Sequence, residues 1–398
     1  MKISNRVQSM EYSAIRKLVP YAEKAKADGK VVYHLNIGAP DTETPHEFLE
    51  SIKKVEMKTI SYPPAKGLDE LREAIANYYA KDGLALNKEN IAVTYGASEA
   101  LLISLLMTTD YGDYILTSDP YYTNYDSFMV ETGLKLSTFP TNFEDGFRIP
   151  DYDILKSSVK EGTKAILICN PANPTGALYS REELERIAKL AVEFDLYIIA
   201  DEIYREFIYD GNKFTSIMEI EGVEDRVILL DSISKRFSAC GARIGAIMSK
   251  NEEIMAAAFK LCTARLAVPT IEQIGATALY EMKSDYLKNV NEEYTKRRDL
   301  IYDEILKIEG AKTYKSQGAF YSIVELPIDD TDDFARWLLT DFEDDNETVM
   351  VAPLSGFYSE SERGKSQIRL AFAVSQEKIK RGIELIKLGL EEYKKINK

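Results

Sequence analysis

The sequence predicts an α/β chain: a large domain with a mainly parallel, seven-stranded type of sheet between helices, and a smaller α+β domain built from both termini. Two observations carry this. Between about residues 90 and 250, short apolar runs (IAVTYG, DYILTSDP, KAILICN, DLYIIADEIY, RVILLDSISK and RIGAIMS) alternate with stretches of helical periodicity such as ASEALLISLLM and REELERIAKLAVEF. That is the pattern of strands joined by covering helices. Outside this region, helical segments mix with isolated strand-like runs, AFYSIVEL and QIRLAFA. The expected division places residues 46–284 in the large domain and residues 1–45 with 285–398 in the small one. A chain of 398 residues, 45% hydrophobic, is long enough to bury two cores.

Charge narrows the function classes. Fifty Lys and Arg against 65 Asp and Glu give a formal net charge of −15, which repels phosphate backbones and anionic lipid surfaces, so neither nucleic acid nor membrane is an expected partner. The opening residues, MKISNRVQSMEYSAIRKLVP, hold no apolar run of signal-peptide length, and no later segment is long enough to span a bilayer. A cytoplasmic protein is expected. Cys169, Cys240 and Cys262 have no paired spacing and read as buried thiols in a reducing compartment. Two histidines, His34 and His46, are too few and too isolated for a metal site or a Ser-His-Asp arrangement.

In open parallel sheets ligands bind at the carboxyl ends of strands. Those ends carry the unusual polar residues here: Gly96 to Ser98, Pro120 to Tyr122, Asn170 to Gly176, Asp201 to Tyr204, and Ser232 to Lys235. They are expected to converge on one site. In SISKRFSACGARIG, Lys235 follows a buried strand, where a partly desolvated amine loses its proton near neutrality and can attack an aldehyde to form a Schiff base. Ser232, Ser234 and Arg243 beside it suit a phosphate dianion. In DLYIIADEIY, Asp201 ends an apolar strand, and a buried carboxylate stays ionised only beside a cation, such as a protonated pyridine nitrogen. The plainer reading of Asp201 is a helix N-cap. Tyr204, three residues on, could hydrogen-bond a ring oxygen. NPANPTG holds Asn173 in a rigid turn, and GASEALL opens a helix at Ala97 and Ser98, where free N–H groups favour phosphate.

In this order, the segments resemble the fold-type I pyridoxal phosphate (PLP) enzymes, specifically the class I and II aminotransferases, over nearly the whole chain. NIGAPD is similar to the family's substrate-binding glycine loop and makes Gly38 its glycine. SYPPAKGLDELREAI resembles the segment whose tyrosine, here Tyr62, reaches the cofactor phosphate of the partner subunit. GASEA matches the phosphate-binding helix start, and PYY makes Tyr122 the ring stacked on the pyridine. The resemblance assigns Asn173, Asp201, Tyr204, Ser232, Ser234, Lys235 and Arg243 to the cofactor and Arg369, in QIRLAFA, to the substrate α-carboxylate, with Gly38 and Asn173 also on the substrate. It implies PLP as cofactor, a homodimer, and no metal.

The implied reaction moves an amino group from an L-amino acid to a 2-oxo acid by a ping-pong sequence, with Lys235 as the proton carrier. The same fold and residues also serve C–S lyases and other eliminating or decarboxylating enzymes, and a non-catalytic ligand sensor is a remote third reading. Two departures from the family stand out. Ala242 replaces the usual bulky residue before Arg243. Ser98 stands where one aspartate-specific subgroup has a lysine, and Arg265, near the region from which another subgroup supplies an arginine across the dimer, is out of register with the nearby proline.

Overall fold

The computed structural model describes residues 1–10 and 13–396. Thirteen strands occur among them: β1 Val31–His34, β2 Ile91–Thr94, β3 Tyr114–Asp119, β4 Lys135–Pro140, β5 Thr163–Cys169, β6 Tyr197–Asp201, β7 Val227–Ser232, β8 Gly245–Met248, β9 Lys312–Thr313, β10 Tyr321–Glu325, β11 Glu347–Met350, β12 Ala352–Pro353 and β13 Gln367–Ala371. Seven of them form one sheet in the order β2-β8-β7-β6-β5-β3-β4. All neighbours are parallel except β8, which runs antiparallel to both β2 and β7.

The six apolar runs of the sequence become β2, β3, β5, β6, β7 and β8. Strand β4 had no such signal, because KLSTFP has no continuous apolar run and ends in proline; as the sheet's edge it buries only Ser137 and Phe139. Strand β5 shows why the central runs are continuously apolar. Ile166 and Ile168 enter the core on one face, Ala165 and Leu167 the core on the other, so successive side chains are buried whichever way they point.

The smaller sheet, β12-β13-β10-β9, is antiparallel, and β1 pairs with β11 in parallel. The amphipathic helix Gln376–Ile396 buries Ile379, Ile383, Ile386 and Leu390 in a third core shared with β10, β11 and β13. The β10 and β13 register sets Ile323 opposite Arg369. Tyr321, two residues from Ile323, is thus a diagonal neighbour of Arg369 on the same face. No helix among the described residues is long and apolar enough to cross a membrane.

Candidate active site

A cavity of about 530 Å³ opens at the carboxyl ends of the large sheet, facing β10 and β13. Gly38, Ala97, Ser98, Tyr122, Asn173, Asp201, Tyr204, Ser232, Ser234, Lys235, Arg243 and Arg369 all line it. Tyr62 does not. It lies on the surface, 82% exposed.

Lys235 sits in the short helix Ile233–Arg236 directly after β7. Ser232 caps this helix, accepting from the Ser234 N–H at 3.1 Å and donating to the Ile244 carbonyl at 2.9 Å. The next residue, Arg236, is fully buried in an ion pair with Asp231 on the far side of the chain. Cap and ion pair fix the turn, so Lys235 is aimed into the cavity from a rigid base. Its Nζ donates to the Gly38 carbonyl at 2.7 Å, and burial pushes its pKa below the ordinary lysine value.

Asp201 ends β6, and a turn rather than a helix follows, so it is not a helix N-cap. Its carboxylate accepts from the Ile203 N–H at 3.3 Å. Burial raises its pKa to about 7, with Asp231 adding to the rise and Lys235 opposing it. A carboxyl group held out of water beside a ligand cavity in this way is matched to a cation brought by the ligand.

The Tyr204 hydroxyl is 2.8 Å from that of Tyr321. A Cβ on Gly38 would lie 1.9 Å from the Tyr321 Oη, so only glycine lets the Gly38 loop close over this hydroxyl pair. Tyr122 lines the cavity edge-on to Tyr125, with ring centroids 5.6 Å apart.

At the opposite end, the helix Gly96–Thr108 presents Ala97 and Ser98. The unbonded N–H groups of its first turn form an anion-binding end. Gly245 brings β8 against that helix start: a Cβ there would meet Gly96 and Ala97 backbone atoms at 2.5 and 2.8 Å. Arg243 adopts φ 56°, a left-handed conformation rare for arginine, and its guanidinium donates to the carbonyls of Cys240 and Tyr95 at 2.9 and 3.2 Å. Such a strained backbone is a mark of functional sites.

Arg369 is 1% exposed. One terminal nitrogen donates to the Asn173 Oδ1 at 2.9 Å and the other to the Asn36 carbonyl at 2.6 Å, with Tyr321 and Phe357 rings stacked near the guanidinium. Each terminal nitrogen carries a second hydrogen, which leaves a fork suited to a carboxylate.

Sequence reasoning missed several lining residues. Asn36 opens NIGAPD, where only Gly38 has an assigned role, and Tyr321 lies outside the motifs, where only the β10–β13 register reveals it. The Asn36 Nδ2 is buried without a partner in the cavity wall. Cys240 corrects the expectation of three buried thiols. Cys169 and Cys262 are buried, but Cys240 is partly exposed and lines the cavity. It opens the short 3-10 turn Cys240–Ala242 that leads directly into Arg243.

The residues present fit pyridoxal phosphate: a desolvated amine for its aldehyde, an unmatched buried carboxyl for its ring nitrogen, and a helix start, a serine and an arginine for its phosphate. Comparison with known proteins agrees. Residues 30–386 match the family model for aminotransferase class I and II. The aspartate aminotransferase of Pyrococcus abyssi is 34% identical, with 99% of this chain and all of that protein covered. That of Bacillus subtilis is 30% identical, with the same coverage. The solved alanine aminotransferase of Pyrococcus furiosus superposes with a TM-score of 0.90 at 31% identity, over 98% of this chain and 100% of that one. The chain belongs to the class I and II aminotransferases, the pyridoxal phosphate-dependent transaminases.

Proposed function

We propose that this aminotransferase carries PLP on Lys235 and moves the amino group of an L-amino acid to a 2-oxo acid in two half-reactions. One observation supports this above all: a desolvated lysine, a buried carboxyl awaiting a cation and a forked arginine share one cavity. When bound, the cofactor supplies an aldehyde that an amine can join and a protonated ring that draws electrons from the substrate Cα.

Every other contribution comes from the chain. Arg243, Ser234 and the helix start at Ala97 and Ser98 hold the phosphate. Ser232, whose hydroxyl is committed to the helix cap, supports this group from behind. The Asp201 carboxylate keeps the ring nitrogen protonated. Tyr204 and Asn173 bond the ring oxygen, and Tyr122 covers the ring. Arg369 holds the α-carboxylate, which turns the Cα–H bond toward Lys235. The neutral Lys235 Nζ takes the Cα proton and returns it to the cofactor side, a positioned transfer worth about 10² to 10⁴ in rate. The roles divide between domains 46–284 and 1–45 with 285–398, and the reducing cytoplasm suits the three free thiols.

A half-reaction panel tests the reading. Mixed with a donor amino acid and no acceptor, the cofactor-loaded protein should release one equivalent of 2-oxo acid per site and no ammonia. Sustained turnover with ammonia release would assign it to the eliminating enzymes instead.

Asp201 gives a test that needs no turnover. Its folded pKa, raised to about 7, lies above that of the unfolded chain. The cofactor-free fold therefore holds this proton more tightly; the stability that goes with it is fully present below 3.8, falls as pH rises from there, and is gone above about 7. Asp201→Asn should melt higher than wild type at pH 8, both without cofactor, by about 1–4 kcal/mol of stability, and the gap should narrow steadily as pH falls below about 7 and close only below the unfolded carboxylate value of 3.8. With PLP bound the order should reverse, because the variant cannot pair with the ring nitrogen.

The assembly we propose is a homodimer. Met57, Ile60, Tyr62, Tyr95 and Leu266 are exposed large apolar side chains. They are drawn together by bonds from the Thr270 hydroxyl to the Ser61 carbonyl and from the Tyr95 hydroxyl to the Ala267 carbonyl. Exposed apolar side chains on segments tied together in this way suit a protein interface, and by the family resemblance two-fold pairing would bring Tyr62 to the partner's phosphate site. Sedimentation at assay concentration should give a dimer, and Tyr62→Phe should weaken PLP retention without dissociating it. A fully active monomer would contradict the assignment.

A further inference from the structure

Among the described residues five charged side chains line the cavity: Arg16, Asp201, Lys235, Arg243 and Arg369. In the reaction proposed above, Asp201 answers the ring nitrogen, Lys235 the aldehyde, Arg243 the phosphate and Arg369 the α-carboxylate. Arg16 has no counterpart. Its position is built rather than incidental. Ala14 and Leu18, one helical turn apart, are buried in core clusters. Ala14 packs so closely on Gly356 that a Cβ there would come within 2.7 Å of the Ala14 Cβ. With that face pinned, Ile15, Arg16 and Val19 line the cavity. No side-chain hydrogen bond or ion pair ties the Arg16 guanidinium to another described residue. Both Arg16 and Arg369 act electrostatically on Tyr122, so the two guanidinium groups address the same part of the cavity.

The other positions that could place a second cation here are spent. Residue 98 is a serine. Arg265 is bound to Glu99 at 3.1 Å and to the Val93 carbonyl at 2.7 Å. Among the described residues no carboxylate besides Asp201 lines the cavity to neutralise Arg16. We propose that Arg16 is a specificity-determining residue that binds a second acidic group, carried on the substrate side chain, so that the preferred substrates are dicarboxylic amino acids and their 2-oxo diacids. Ile15 and Val19 beside it would pack on the methylenes between the two carboxylates.

This inference rests on the aminotransferase reading, and the two fail differently. The test measures kcat/KM of the cofactor-loaded enzyme for aspartate, glutamate and the neutral donors alanine and norvaline, in wild type and Arg16→Gln. The wild type should prefer at least one acidic donor. In Arg16→Gln the ratio of acidic to neutral kcat/KM should fall about 10- to 100-fold, the size expected of a lost charge-assisted hydrogen-bond pair. Arg16→Lys should restore part of the ratio. Arg16→Gln lowering both classes by the same factor would mean a structural role and overturn the proposal. So would a wild type that reacts with neutral donors alone, which leaves the aminotransferase reading standing. No half-reaction with any donor would remove that reading itself.

Discussion

Lys235→Ala lowers kcat by at least about 10⁴-fold, because it removes both the amine that joins the cofactor and the base that moves the Cα proton. The fold should survive. The turn that carries Lys235 is held by the Ser232 cap and the Asp231–Arg236 ion pair, neither of which the substitution touches. The one bond lost is the 2.7 Å donation to the Gly38 carbonyl, and removing a desolvated amine offsets much of that loss. Steady-state kinetics and thermal melting on the same preparation check this. Residual turnover within a factor of ten of wild type would assign the proton transfer elsewhere.

Arg369→Lys should lower kcat/KM by about 10²- to 10³-fold while the protein keeps its cofactor and colour. A lysine ammonium has no planar fork. It cannot bond Asn173 and the Asn36 carbonyl while offering two parallel donors to a carboxylate. Since the carboxylate is held in ground and transition states alike, part of the loss falls in KM, with a further part in kcat where the Cα–H bond is misaligned. The stacking on Tyr321 and Phe357 also makes Arg369 a structural group, so a lower melting temperature accompanies the kinetic loss. A destabilised variant with wild-type kinetics would take Arg369 out of substrate binding.

Much of this site was legible in the sequence, for a physical reason. A parallel sheet gathers its strand ends on one edge, so polar residues that terminate apolar runs must meet. Asp119, Cys169, Asp201 and Ser232 all lie on that edge. The residues that escaped notice come from the lobe built by the termini. Asn36 and Tyr321 reach the cavity through backbone register across hundreds of residues, and periodicity carries no information about such pairings. Arg16 was hidden differently, in a short helix whose burial pattern is set by packing against Gly356, a contact with no local signal. Cys240 read as an ordinary core thiol because nothing in SACGAR announces the turn that exposes it. Strand β4 was missed because an edge strand has no need of a continuous apolar run.

The central claim is that the cofactor is joined to the chain at Lys235, and borohydride reduction tests it most directly. Reducing the coloured protein should fix the cofactor irreversibly, bleach the visible absorbance and yield, after proteolysis and mass spectrometry, a single modified peptide bearing pyridoxyl phosphate on Lys235. Modification at another lysine, or a reduced protein with no modified peptide, would contradict the account.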